Sequence, residues 1–327
     1  MLDRRKFLSV SALGLASGAA RAGFAQDEPA LDPGLPSYQS VPGISGILTS
    51  IGSDTMSALM TYWAQGFKKI YPGDSVQIES KGSNTAFPAL ITGSSQIGPM
   101  SRPAKQAEED AFEAKYGYKV SRVRTAIDTV AIIVNKDNPL KSITLDQLDA
   151  IYSKGRRRGR LKPINTWGDL GLTGEWAGKA ISLYGRTPAS GTYTYFKEHV
   201  LQNGDYRDEV KEQPGSAAVV QAVATDRFAI GYSGIGYATS SVRAVPLAEK
   251  AGATPMAANA ENAYSGEYPL ARFLFVYINR APGKALDPLV REFVRMILSK
   301  EGQEIVVKDG YYPVLSAVAN EDLKKVE

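Results

Sequence analysis

Four short stretches repeat one chemical theme: small residues and hydroxyls at the point where a strand-like run gives way to a helix-like one. Ser53 and Thr55 stand in Gly52-Ser53-Asp54-Thr55, and Ser83 and Thr85 in Gly82-Ser83-Asn84-Thr85. Ser101 follows Ile97-Gly98-Pro99-Met100, and Ser190-Gly191-Thr192 closes Arg186-Thr187-Pro188-Ala189. Hydroxyls and free backbone N–H groups at a helix N-terminus all donate hydrogen bonds, and the helix dipole favours negative charge there. Glycine beside them lets the backbone approach a ligand closely. Arg186, four residues before Ser190, adds a planar fork of donors suited to a tetrahedral oxyanion. Such a set cages an oxyanion without metal or catalysis. Each of these residues is also an ordinary helix N-cap, so one junction alone would carry no ligand. Four together, with Arg186 ahead of the last, read as an oxyanion site.

Composition removes most competing chemistry. The 327 residues contain no cysteine and one histidine, His199. Disulfides, thiolate metal sites and a Cys nucleophile are therefore excluded, and so are His-rich metal sites. There is no Gly-x-Ser-x-Gly elbow, no His-Glu-x-x-His and no Walker loop. Trp63, Trp167 and Trp176 are not interleaved with basic residues, so no nucleic-acid platform is expected and the tryptophans are assigned to packing. His199 is expected to be solvated or to cap a helix. The run Lys154-Gly155-Arg156-Arg157-Arg158-Gly159-Arg160 reads as a solvated loop, with anion steering as the second reading.

The elements that must hold the junctions follow from periodicity. Ile47–Ile51 reads as a strand, and Met56, Leu59, Met60, Trp63, Phe67 and Ile70 recur at helical spacing. Val76–Ser80 alternates as a strand, ahead of a short helix through Phe87, Leu90 and Ile91. Gln96–Met100 is a third strand, followed by a charged helix over about 104–116. Strand–turn–helix units in succession predict a parallel sheet with crossover helices, and junctions at its carboxyl edge are the usual place for a ligand. Val130–Val134 reads as a buried strand leading into a second α/β unit over about 135–260. That unit carries strands at Ile181–Tyr184 and Phe228–Tyr232 and a helix after Thr192. Phe273–Ile278 is a further strand. Helices over Leu289–Leu298 and Gln303–Lys308 end the pattern at Gly310.

The first residues read as an address rather than structure. Asp3-Arg4-Arg5-Lys6-Phe7-Leu8 precedes a mildly apolar run to Ala20, and Ala20-Arg21-Ala22 is a small-x-small cleavage site. This layout resembles a twin-arginine export signal over residues 1–22, with 25 as the alternative end. Removing 1–22 leaves 34 Lys+Arg against 33 Asp+Glu, so the positive charge belongs largely to the signal. Residues 23–45 are Pro/Gly-rich and aperiodic and are expected to form a flexible arm.

Taken in order, the four junction motifs resemble those of the periplasmic phosphate-binding proteins of bacterial ABC importers. The likeness continues through Ala229-Ile230-Gly231-Tyr232-Ser233-Gly234-Ile235-Gly236 and Tyr268-Pro269-Leu270-Ala271-Arg272, covering about residues 46–315. Its most specific part is Arg186-x-x-x-Ser190-Gly191-Thr192. The resemblance implies an α/β, two-lobed periplasmic-binding-protein fold of type II. Each lobe would be a mostly parallel sheet flanked by helices, with the ligand cleft between the lobes. One lobe would comprise residues 46–128 plus 262–327, the other 129–261. It implies phosphate contacts from Thr55, the Met56 amide, Ser83, Arg186, Ser190, Gly191 and Thr192. It also implies a membrane permease as partner, no cofactor, no metal, no catalysis and a monomer in the periplasm.

One position departs from the pattern. Some members of that family carry an aspartate where this chain has Ser101, and that carboxylate accepts the proton of hydrogen phosphate while repelling sulfate. Ser101 accepts a hydrogen bond without the charge. Asp128 is the candidate for the missing acceptor, the alternative being an ordinary turn aspartate. Two other readings stay open: the same fold serving sulfate, molybdate or tungstate, and an exported metal-dependent phosphoester hydrolase using Asp54 or Asp128.

Overall fold

The computed structural model describes residues 29–327, so the expected export signal and both of its expected cleavage points lie outside the described residues. The chain runs β1 (Gly46–Ile51), α1 (Ser57–Ile70), β2 (Asp74–Glu79), α2 (Ala86–Thr92), β3 (Ile97–Met100), α3 (Gln106–Tyr116), β4 (Ser121–Asn135), β5 (Ile143–Thr144) and α4 (Leu145–Tyr152). It continues through β6 (Ser182–Arg186), α5 (Gly191–His199), β7 (Lys211–Gln213), α6 (Ser216–Thr225), β8 (Ala229–Gly234), β9 (Val242–Ala244), β10 (Leu247–Ala248) and α7 (Ala260–Tyr264). The last elements are β11 (Ala271–Ile278), α8 (Pro288–Ile297), α9 (Lys300–Lys308) and α10 (Ser316–Leu323).

The strands follow the path β2-β1-β3-β11-β4-β8-β6-β7, with β9 also pairing β4. β1 runs parallel to β2 and β3, and β6 runs parallel to β7 and β8. These are the two parallel sets that the junction pattern predicts. Between them lie antiparallel strands, and β4 is the member that changes partners. Its first part, Ser121–Thr129, pairs β11, and Val130–Val134 pairs β8. The 15-residue β4 thus serves both halves of a two-lobed α/β fold.

Packing follows from the apolar stripes. Leu59, Met60, Trp63 and Phe67 make one buried face of α1, which packs on β2, α8 and α9. Burying a side chain such as Phe67 contributes roughly 1.5–3 kcal/mol. Trp63 adds a directional contact, its Nε1 donating to the Gly302 carbonyl at 2.9 Å. Trp167 and Trp176 pack edge to face, ring centroids 6.0 Å apart. α8 starts on a strong signal: Asp287 accepts the N–H groups of Leu289 and Val290, and Pro288 fills a first-turn position where no N–H is needed.

Three expectations change. The described part of the arm, residues 29–45, has no regular element but is not loose. Leu35 is buried, Asp32 accepts the Ser316 N–H at 2.8 Å, and the Tyr38 hydroxyl meets Tyr71 and Glu292 at 2.6 and 3.0 Å. A Pro/Gly-rich sequence lacks periodicity but can still dock through single anchors. β4 begins nine residues before Val130, because Arg122 and Arg124 hide the alternation of a strand with one charged face. The helical pattern does not end at Gly310, since α10 follows it. Asp322 of α10 accepts the Arg124 N–H at 2.6 Å and its guanidinium at 2.9 and 2.8 Å. Among the described residues no helix is long and apolar enough to cross a membrane.

Candidate functional site

All four junctions converge at the cleft where the two parallel sets face each other. From one side come the β1–α1 turn with Asp54, Thr55 and Met56, the β2–α2 turn with Ser83, and the end of β3 with Ser101. From the other comes the β6–α5 turn with Arg186 and Ser190-Gly191-Thr192. Thr55, Met56, Ser83, Ser101, Arg186, Ser190 and Thr192 are buried to at least 99 %. So many hydroxyls without solvent need partners, and they find them both across the cleft and within each side. Thr55 Oγ1 lies 2.7 Å from Thr192 Oγ1. Ser83 Oγ lies 3.3 Å from Ser101 Oγ and accepts the Ser101 N–H at 3.0 Å. The Met56 N–H donates to Ser53 Oγ at 3.3 Å. Ser190 caps α5 by accepting the Thr192 N–H at 3.2 Å.

Gly191 has a steric reason to be glycine. A Cβ there would stand 2.3 Å from Ser83 Oγ and 2.7 Å from Ser101 Oγ. Gly82 has another: its φ is +102°, and a Cβ would lie 2.4 Å from the Ala189 carbonyl oxygen on the opposite turn. Both glycines therefore permit the two sides to meet.

The charges at the centre are Arg186 and Asp54. Arg186 Nη2 donates to Asp54 Oδ2 across the cleft, and Nη1 donates to Ser216 Oγ at 2.6 Å. The Arg186 backbone N–H is held by the Tyr232 hydroxyl at 3.3 Å. Asp54 Oδ1 accepts the Thr55 N–H at 3.0 Å and the Ser190 hydroxyl at 3.3 Å. Arg186 Nε is buried without a partner. The site thus combines a guanidinium, several hydroxyls and helix-start N–H groups with a single carboxylate.

Asp128 lies elsewhere in the network. Its Oδ2 accepts Arg272 Nε and Nη2 at 3.0 and 2.8 Å, and its Oδ1 accepts the Ile235 N–H at 3.1 Å. Burial pushes its carboxyl up, while Arg272 and the Ile235 N–H pull it back. Asp128 sits where β4 changes partners; Arg272 links it to the site by donating to Thr192 Oγ1 at 2.9 Å, and Arg186 also favours its charged form from a distance. The carboxylate among the cleft hydroxyls is Asp54, which the motifs alone suggest only as a hydrolase residue. An Asp at a helix start looks like an N-cap, so no sequence signal separated it from the serines around it. Ser216 was likewise hidden as the first residue of α6.

The residues set aside take structural positions. His199 Nδ1 lies 2.9 Å from the Tyr195 carbonyl, and the two rings stack. The basic loop wraps the end of α5: Arg158 donates to the carbonyls of His199 and Val200, and Arg157 to that of Gln202. Cations at a helix C-terminus are electrostatically favoured. The loop sits one helix length, roughly 13 Å, from the N-terminus that faces the cleft. That position supports a structural loop over one that steers anions. Among the described residues no group of three or more His, Asp or Glu side chains gathers as a metal site.

Comparison with known proteins agrees with this geometry. Residues 36–301 match the family model described as a PBP superfamily domain. The phosphate-binding protein PstS of Pseudomonas aeruginosa is 53% identical over 308 residues, 94% of this chain and 95% of that protein. The phosphate-binding protein PstS of Staphylococcus haemolyticus is 28% identical over 77% of this chain and 76% of that one. A structure from Clostridium perfringens, described as a phosphate ABC transporter substrate-binding protein with bound phosphate, superposes with a TM-score of 0.69 at 28% identity, covering 82% of this chain and all of that one. With the cleft, its paired hydroxyls and these matches over nearly its whole length, the chain belongs to the PBP superfamily and, within it, to the PstS family of phosphate-binding proteins.

Proposed function

We propose that this chain is an exported solute-binding protein that captures inorganic phosphate in the interlobe cleft and delivers it to the membrane permease of an ABC importer. It acts as a binding protein, without catalysis or cofactor. Residues 46–128 and 262–327 form one lobe and 129–261 the other, and the protein works as a monomer. Arg4 and Arg5 direct export to the periplasm by the twin-arginine route.

The observation that carries this reading is the Asp54 carboxylate among donors otherwise suited to any tetrahedral oxyanion. An ionised carboxylate only accepts hydrogen bonds. It welcomes a ligand oxygen that still bears a proton, as hydrogen phosphate does, and repels one that bears none, as in sulfate. Asp54 in this role compensates for Ser101 and takes the place first given to Asp128. Thr55, the Met56 N–H, Ser83, Ser101, Ser190, and the N–H groups of Gly191 and Thr192 donate to the remaining oxygens, and Arg186 supplies the charge. Desolvated, charge-assisted donors of this kind are stronger than neutral ones. Calorimetric titration of the signal-free protein with phosphate, sulfate and molybdate tests the reading. Phosphate binds tightest if it holds. Sulfate or molybdate binding more tightly, or none of the three binding, overturns it.

A further inference from the structure

We propose that Asn84 is a latch that holds the two lobes closed at the rim of the cleft, aimed by buried Arg102 and its ion-pair partner Glu108. The inference rests on the phosphate-capturing reading of the cleft, because it assigns the latch a part in ligand retention.

Asn84 follows Ser83 on the β2–α2 turn and faces Pro188 and Ala189 on the β6–α5 turn. Its backbone N–H donates to the Ala189 carbonyl at 3.2 Å, and its Nδ2 donates to the Pro188 carbonyl at 2.9 Å. One residue of the first lobe thus grips two consecutive carbonyls of the second. Both carbonyls stand just before the N-cap Ser190 of α5. The adjacent Gly82 brings the backbones together, as its close approach to Ala189 requires.

The aim of the amide is fixed chemically. Arg102 Nη2 donates to Asn84 Oδ1 at 2.6 Å. A guanidinium has donors and no acceptor, so the amide oxygen must face Arg102 and the NH₂ must face Pro188. Arg102 is itself immobilised: only 1 % exposed, it makes two hydrogen bonds to Glu108 at 2.8 and 2.7 Å and one to the Pro103 carbonyl at 2.9 Å. Glu108 in turn accepts the Lys105 N–H at 2.7 Å at the start of α3. Glu108 also neutralises Arg102, so the arginine orients the latch without competing for the anion. The relay Glu108–Arg102–Asn84 lies within one lobe and persists when the cleft opens. The bonds to Pro188 and Ala189 are lost on opening. They favour the closed conformer alone, and any contact made in one conformer only shifts the balance toward it. Since Ser83 precedes Asn84 and Ser190 follows Ala189, closing the latch and closing the hydroxyls on a ligand are one movement.

The test uses the full mature chain with Asn84→Ala, which deletes the side-chain bond, and Asn84→Asp, which keeps an acceptor for Arg102 but sets an oxygen against the Pro188 carbonyl. Release of radiolabelled phosphate into excess unlabelled phosphate quickens by about 2- to 10-fold in Asn84→Ala, the range for one neutral hydrogen bond. In Asn84→Asp it quickens further. Association is unchanged, because capture occurs on the open form. Small-angle X-ray scattering without anion provides a readout that needs no ligand: the radius of gyration grows from wild type to Asn84→Asp. If wild-type protein binds no phosphate, the functional reading falls and the scattering alone decides the latch. If wild type binds phosphate and both variants release it at the wild-type rate, the latch is wrong and the functional reading stands.

Discussion

Asp54 and Arg186 belong to opposite sides of the cleft and meet in an ion pair from which solvent is almost excluded: the aspartate side chain is 7 % exposed and the arginine 0 %. The pair is the electrostatic join between the two sides, and each member has a further partner on the second one. Arg186 reaches Ser216 and Asp54 reaches Ser190. Removing one member of a buried pair leaves the other uncompensated, which costs more than the pair itself contributes.

Arg186→Ala removes the guanidinium of the β6–α5 turn and leaves Asp54 as an unopposed negative charge facing the ligand. Phosphate affinity is expected to fall by about 100-fold or more, from the loss of charge-assisted hydrogen bonds and the repulsion left behind. Isothermal titration against a variant whose circular dichroism matches wild type measures it. Wild-type affinity in a folded variant would remove Arg186 from the site.

Asp54→Asn tests the reading of the proton. The amide keeps the shape, places a donor where an acceptor stood and removes the charge that repels sulfate. Phosphate affinity falls by about 10- to 100-fold, the range for a hydrogen bond to a charged group. Sulfate affinity holds or rises, so the preference narrows. Asp128→Asn also strips a buried arginine, Arg272, of its partner, but the Asp128 carboxylate stands outside the four junction turns. It lowers stability by about 3 kcal/mol and leaves the phosphate-to-sulfate ratio unchanged. Denaturant melts and competition binding on the two variants separate the roles. A ratio altered by Asp128→Asn and not by Asp54→Asn would reverse the assignment.

Gly191→Ala addresses the geometry of closure. Alanine is well suited to the first turn of a helix, so α5 tolerates it. Its Cβ, however, would enter the space of Ser83 and Ser101 Oγ. The variant is expected to melt within a few degrees of wild type and to lose phosphate binding by more than about 100-fold, since the cleft cannot close around the anion. A thermal melt with and without phosphate reads both. Normal ligand-induced stabilisation would show that the two sides can separate by a side chain and still bind.

The positions of the junction residues were legible because the signals that start helices are local. Small residues and hydroxyls after short apolar strands announced Thr55, Ser83, Ser101 and Ser190, of which only Ser190 caps its helix through its side chain, and the parallel sets β1–β3 and β6–β8 follow from the same alternation. What could not be read was pairing. Asp54 and Asp128 are both aspartates between apolar runs, and only the fold sends one to Arg186 and the other to Arg272. Arg272 ends the Tyr268–Arg272 stretch and Arg102 directly follows Ser101, yet their partners come from 144 residues away in one case and from the next helix in the other. Long-range partners leave no trace in periodicity. The short strands β5, β9 and β10 failed for a different reason: two or three residues are too few to show alternation.

Asp309 sets a pH dependence of stability that is separate from ligand binding. It ends α9, where helix carbonyls already concentrate negative potential, and its Oδ2 is buried without a hydrogen-bond partner. Burial pushes its carboxyl up to about 7 from an ordinary value of 3.8. The folded state therefore holds a proton over an interval in which the unfolded state has released it. Stability contributed by this group is greatest below the unfolded value, declines as pH rises toward 7, and is lowest and flat above it. Asp309→Asn removes the charge while keeping the shape, so it abolishes that decline. The variant is expected to melt higher than wild type at pH 8 and at nearly the same temperature at pH 4, with the gap opening between these limits. Differential scanning calorimetry across pH 4 to 8, without phosphate so that ligand linkage does not enter, measures the gap. A difference in Tm that is constant with pH would mean that the Asp309 carboxyl titrates alike in both states and that its burial carries no proton-linked cost.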